Sequence, residues 1–141
     1  MRSMTPERQA DALQGTTDRD TQRDTLLLAA LPHISFDGWT DTALRAGAAD
    51  AGLEPADVPR FFPGGAVEAV AAFSSWADRE MNESVAAADL SGLRHSEKIT
   101  LAVRTRLEAV EPYREAVRRS IAFLALAPNV PAGLHMLYRT V

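Results

Sequence analysis

The sequence predicts an all-helical protein organised around one hydrophobic core. Three observations carry this. Apolar residues recur at helical spacing in successive segments, and those segments are bounded by residues that start and stop helices. No segment alternates with the period of a strand, and no internal repeat is visible. The length, 141 residues, suits a single core, and 46% hydrophobic with 24% charged residues is a balance that a folded chain can use and a disordered one does not have.

Residues 1–20 are polar and aperiodic and end in Gly15-Thr16-Thr17-Asp18, so they are read as a disordered tail. A first helix is expected over 21–31, with Leu27, Leu28 and Leu31 as its stripe and Pro32 as its stop. Asp37-Gly38 marks a turn. Thr40 is placed to cap a second helix that runs to Ala51 and stops at Gly52, with Ala43, Leu44, Ala48 and Ala51 as its apolar face. A short third helix starts at Glu54-Pro55, carries Val58, Phe61 and Phe62, and ends at Pro63-Gly64-Gly65.

The fourth helix is expected over 66–85, where Val70, Phe73, Ala77 and Met81 share a face with Trp76 alongside. Leu90-Ser91-Gly92 breaks it. The fifth, over 96–111, places Ile99, Val103, Leu107 and Val110 on one face, with Lys98, Arg104, Arg106 and Glu108 around the remainder. Pro112 opens the sixth, which runs to Leu126 and offers Glu115 and Arg119 as an i,i+4 pair. Pro128 and Pro131 separate it from a seventh helix starting near Ala132. These boundaries divide the chain into a tail (1–20), a three-helix unit (21–65) and a helical remainder (66–141).

Several chemistries are excluded or unsupported. The chain has no cysteine, so it has no disulfide, thiolate ligand or thiol nucleophile. None of His33, His95 and His135 lies in an H-E-x-x-H or E-x-x-H spacing, so they are read as surface or capping histidines. No phosphate loop, dinucleotide fingerprint or nucleophile elbow occurs. Asp78, Glu80 and Glu83 read as a solvated face rather than an acid–base pair. The sequence therefore predicts no catalytic residue, metal or cofactor, and no apolar run of eighteen residues predicts a membrane span.

The second and third helices, joined by Ala51-Gly52-Leu53, have the pattern of a helix-turn-helix. The stretch from Phe36 to Gly65, with Phe61-Phe62-Pro63 closing the third helix, resembles the N-terminal unit of TetR-type repressors. The charge does not suit DNA. Residues 33–65 hold Asp37, Asp41, Asp50, Glu54 and Asp57 against Arg45 and Arg60, a net charge of −3, and the whole chain carries −4. Acidic groups would face phosphates where basic ones supply affinity.

A second resemblance covers most of the chain, from about Arg23 to Val141. It is carried by Phe36-Asp37-Gly38-Trp39 with Ala43-Leu44 and Ala48-Ala49, and by Phe62-Pro63-Gly64-Gly65-Ala66-Val67-Glu68 with Trp76-Ala77-Asp78. Lys98-Ile99, Arg104-Thr105-Arg106-Leu107-Glu108 and Pro112-Tyr113-Arg114-Glu115-Ala116-Val117-Arg118-Arg119 complete it. These stretches are similar to the accessory protein family of ubiquinone (coenzyme Q) biosynthesis known as the ninth Coq protein. The resemblance implies a TetR-repressor-like helical bundle that does not bind DNA and is often a homodimer. It implies a non-catalytic role: binding an isoprenoid lipid or quinone precursor in an apolar site and presenting it to a membrane-associated hydroxylase at the membrane surface. It implies a bacterial cytoplasmic protein peripheral to the inner membrane, or a mitochondrial one in a eukaryote.

On that reading 66–141 is the ligand-binding and dimerisation region. It is expected to be incomplete, because the family continues past the seventh helix. The lipid is expected among inward-facing apolar stripes: Val70, Phe73, Trp76, Met81, Ile99, Val103, Leu107 and Leu137. Leu134, Met136 and Leu137 on the last helix are expected to promote self-association. The alternative reading is a TetR-like, ligand-responsive transcriptional regulator. The two part on DNA. The protein is expected to show no sequence-specific retention of duplex DNA at physiological salt in a mobility-shift assay; specific retention lost on mutating 54–62 decides for the regulator.

Overall fold

A computed structural model of the protein describes residues 6–129, 131–132 and 134–135. All its regular structure is helical, with no strand among the described residues. Helix α1 spans Pro6–Asp37, α2 Asp41–Asp50, α3 Val58–Phe61, α4 Gly65–Ala87, α5 His95–Val110 and α6 Arg114–Ala125. Single 3-10 turns at Pro55–Asp57 and Glu111–Tyr113 lead into α3 and α6, and a third at Ala127–Asn129 follows α6. Residues 131–132 and 134–135 are helical, where the seventh helix is expected, and the rest of it lies outside the described residues.

The start and stop chemistry acts as its residue types dictate. The Thr40 hydroxyl accepts the Ala43 N–H at 3.2 Å and opens α2. Gly52, at φ +73, provides the left-handed step that lets the Leu53 N–H return to the Ala48 carbonyl at 2.8 Å. The Glu97 carboxylate accepts the Arg94 N–H at 2.6 Å at the start of α5.

Helix α1 differs from the sequence expectation at both ends. The stretch 6–20, expected to be a disordered tail, is the first part of α1. Its side chains from 13 to 20 are exposed, so apolar burial does not hold that part. Its tertiary anchor is Arg19, whose Nη2 donates to the Arg60 carbonyl at 2.7 Å; the Thr17 and Thr21 hydroxyls each turn back to the carbonyl four residues earlier, at 2.9 Å. Nor does Pro32 stop the helix, which continues to Asp37. An internal proline costs roughly 3 kcal/mol. Leu31 and Ile34 beside it are fully buried, and burying two such side chains contributes roughly 1.5–3 kcal/mol each. Packing therefore carries the helix across the proline, and Gly38, at φ +75, ends it.

The core lies where α1, α2 and α3 meet α4. Leu26, Leu27, Leu31, Ile34, Leu44, Val58, Phe62 and Val70 are fully buried in it. Arg23 spans three elements at its edge. Its Nε donates to the Phe61 carbonyl at 3.1 Å and its Nη2 to Glu68 Oε1 at 3.0 Å, while the guanidinium lies 4.9 Å above the Phe62 ring. Trp39 is buried, donates its Nε1–H to the Ala116 carbonyl at 3.1 Å, and sits 5.8 Å from Phe73. It thereby holds α6 to the rest.

Helices α1 and α2 approach at Gly47, where an added Cβ would stand 2.5–2.6 Å from Ala30 backbone and Cβ atoms. Alanine ordinarily stabilises a helix interior relative to glycine by about 1 kcal/mol. Gly47→Ala is nonetheless expected to destabilise the protein by about 1–3 kcal/mol through overpacking. Thermal unfolding checks this; an unchanged or raised Tm would show that α1 and α2 are not in close contact here.

Candidate functional site

Helix α5 presents two edges of different character. Ile99, Val103 and Leu107, spaced four apart, are 52%, 53% and 59% exposed. They form the apolar floor of an open groove of about 600 Å³, with Thr100, Arg104, Glu108 and Glu111 around it. Its other edge turns Leu101, Ala102, Thr105, Arg106, Ala109 and Val110 toward the protein, where they are half-buried. No residue of α5 is fully buried.

The residues expected to line one lipid cavity fall into separate environments. Val70 and Phe73 are buried in the core, at 2% and 5% exposure. Trp76 is half-buried, stacked on Phe73 at 5.9 Å and edge-on to Tyr113 at 5.8 Å. Met81 is half-buried further along α4. Ile99, Val103 and Leu107 do not face inward as expected; they face out. Helical spacing tells which residues share a face, and it is silent on whether another helix covers that face. Leu137 and Met136 lie outside the described residues, and Leu134 is exposed.

Inside the other edge of α5 is a smaller cleft. Helix α6 packs against α1 and stands back from α4 and α5. The space left between them, about 120 Å³, is walled by Val70, Phe73, Ala77, Val110, Val117 and Leu124, with Ser74, Ser120 and Arg106 as its polar groups. Arg106 Nε donates to Asp78 Oδ1 at 2.9 Å and its Nη2 reaches Ser74 Oγ at 3.5 Å. The sequence placed Arg106 on the polar remainder of the fifth helix and Asp78 in an acidic face. Their pairing spans 28 positions, and no local spacing rule detects it.

The other polar groups build structure. His33 Nε2 lies 2.6 Å from Asp50 Oδ2 and links α1 to α2. Asp24 pairs with Arg79 and joins α1 to α4. The Ser91 hydroxyl, and then its backbone N–H, hold the Asp89 carboxyl below its ordinary pKa in the turn before α5. Among the described residues no three His, Asp or Glu side chains gather as a metal would require. No described helix is long and apolar enough to cross a membrane.

Over 119 residues, 82% of its length, the chain is 33% identical to the ubiquinone biosynthesis protein COQ9, mitochondrial, of Drosophila melanogaster. It spans 36% of that relative's length. Similarity of this extent supports a place among COQ9-like proteins for the matched stretch. No family model matches the chain, and no solved structure matches it.

The two environments predict opposite responses to truncation. Phe73→Ala is expected to cost about 3–5 kcal/mol, as for other buried aromatic residues. Val103→Ala is expected to change stability by no more than about 0.5 kcal/mol. Urea unfolding of both variants measures this, and equal losses would mean that Val103 is covered in solution.

Proposed function

We propose that this chain is a COQ9-like accessory protein of ubiquinone biosynthesis, non-catalytic, that holds an isoprenoid quinone precursor and presents it to a membrane-associated hydroxylase. The observation that carries the reading is the apolar row of Ile99, Val103 and Leu107 along an open groove of about 600 Å³. That volume falls within the range of ligand sites, about 300–1,000 Å³. A prenyl tail is the ligand such a floor suits: it needs no hydrogen bond, and each methylene it buries contributes about 0.8 kcal/mol. The similarity to COQ9 supplies the pathway. A homodimer working at a membrane surface, mitochondrial or bacterial, completes the proposal.

The regulator reading gains nothing from the geometry. Helix α3 is four residues long, and the turn that leads into it carries Asp57. Arg45, one of the two cations of the helix-turn-helix-like stretch, pairs with Asp41. The TetR-like bundle stays part of the proposal as an architecture, since a fold does not fix a function.

The test replaces the floor of the groove. Val103→Glu with Leu107→Glu is expected to lower co-purifying isoprenoid by about tenfold or more, because two apolar contacts of roughly 1.5–3 kcal/mol each are lost. Both sites are exposed, so the fold should persist. Mass spectrometry of extracted lipid, with circular dichroism as the control, gives the answer; undiminished lipid on a folded variant would refute the proposal.

A further inference from the structure

The cleft between α4, α5 and α6 differs from the groove in how its cation is held. Arg104 at the groove rim is exposed, whereas Arg106 stands half-buried among the apolar walls of the cleft and is fixed by Asp78. Arg106 has five N–H donors. Asp78 takes one and Ser74 a second, at 3.5 Å, which leaves donors for a further acceptor. The Ser120 hydroxyl donates to the Val117 carbonyl at 2.6 Å, so its oxygen retains accepting capacity beside the cleft.

Size narrows the ligand. Protein interiors close most voids larger than a water molecule. A dry apolar cavity of about 150 Å³ takes a benzene ring. A cleft of about 120 Å³, smaller than that but open on one side and walled by Phe73, Ala77, Val110 and Val117, has room for at most one six-membered ring. Arg106 selects among rings, because it rewards an oxygen acceptor and offers nothing to a hydrocarbon.

Position links the cleft to the groove. Arg106 and Val110 follow Val103 and Leu107 by three residues, so they neighbour them across one ridge of α5. From Leu107 to Ile99 the apolar row runs about 12 Å along the helix. We propose that the cleft is the ring subsite of the bound precursor. A phenol or quinone ring enters between α4, α5 and α6 with an oxygen on Arg106, and the prenyl tail crosses the α5 ridge and lies along Leu107, Val103 and Ile99. This rests on the isoprenoid reading above and adds a ring-binding element with its own chemistry.

The experiment separates the two ends of the ligand. The full chain, labelled with ¹⁵N, is titrated in separate arms with phenol, with toluene and with farnesol. Phenol is expected to bind about tenfold more tightly than toluene and to move the Arg106 Nε–H resonance. Arg106→Met, which keeps the length and removes the donors, is expected to bring the ratio to about one. Ala77→Leu, which fills the cleft, is expected to abolish phenol binding while farnesol still perturbs Ile99, Val103 and Leu107. Equal binding of phenol and toluene by the unaltered chain, or phenol shifts that leave Arg106 and α4 unmoved, overturns the ring subsite even if Ala77→Leu fails to fold. Farnesol binding without a phenol response overturns the subsite alone. Phenol binding at Arg106 without any farnesol response supports the subsite and refutes the tail reading.

Discussion

The indole of Trp39 is the constraint on which the arrangement of the later helices depends. It follows the left-handed step at Gly38, so the end of α1 and the start of α2 deliver it into the interior. A buried indole N–H needs an acceptor, and here that acceptor is the Ala116 carbonyl, 77 residues away. Ala116 is itself fully buried and carries only a methyl group, so the first turn of α6 can come close. Phe73 packs on the same indole from α4, and Tyr113 meets Phe73 edge-on at 6.3 Å. One side chain thus fixes α6 against the N-terminal unit. That placement leaves α6 standing off from α4 and α5, and the cleft is the space it does not fill.

A second consequence concerns α3. Four residues are too few to be stable as a helix from propensity alone. Arg19 and Arg23, one turn apart on α1, bond to its last carbonyls, and Arg23 also covers Phe62 and reaches Glu68 on α4. The helix-turn-helix-like layout is therefore held from behind by cations of α1. Those groups serve the fold, and the stretch they support remains acidic. The same bonds explain why α1 continues upstream of its apolar stripe.

Boundaries set by turn chemistry were legible in the residues. Thr40, Gly52, Pro55, Pro63 and Pro112 each mark a helix end or start close to where the structure has one. The misreadings arose where tertiary contacts outweigh local preference. Pro32 has the local character of a stop, but Leu31 and Ile34 beside it are buried. Residues 6–20 lack periodicity, yet Arg19 ties the part near the core to α3. For the candidate site, the apolar rows of α4 and α5 were legible as faces. Which of them is covered was not, because that depends on how α5 is rotated against α4. The Arg106–Asp78 pair was invisible for the same reason: neither residue is unusual in its own helix.

The rotation of α5 carries the functional argument furthest. An amphipathic helix normally turns its most apolar face to the core. Here the most apolar row, Ile99, Val103 and Leu107, faces out, while Thr105 and Arg106 lie half-buried on the packed side. The packed side satisfies its polar members locally: Thr105 bonds to the Leu101 carbonyl at 2.9 Å, and Arg106 to Asp78. Stability alone would favour polar residues on the outer row, since they would remove exposed apolar area and forfeit no packing. A contiguous exposed apolar row therefore implies something that covers it. On the proposal above, the guanidinium one ridge away, with donors to spare, takes an oxygen at one end of what covers the row, and the two edges of α5 together fit an amphiphile with a single polar ring and a long apolar tail.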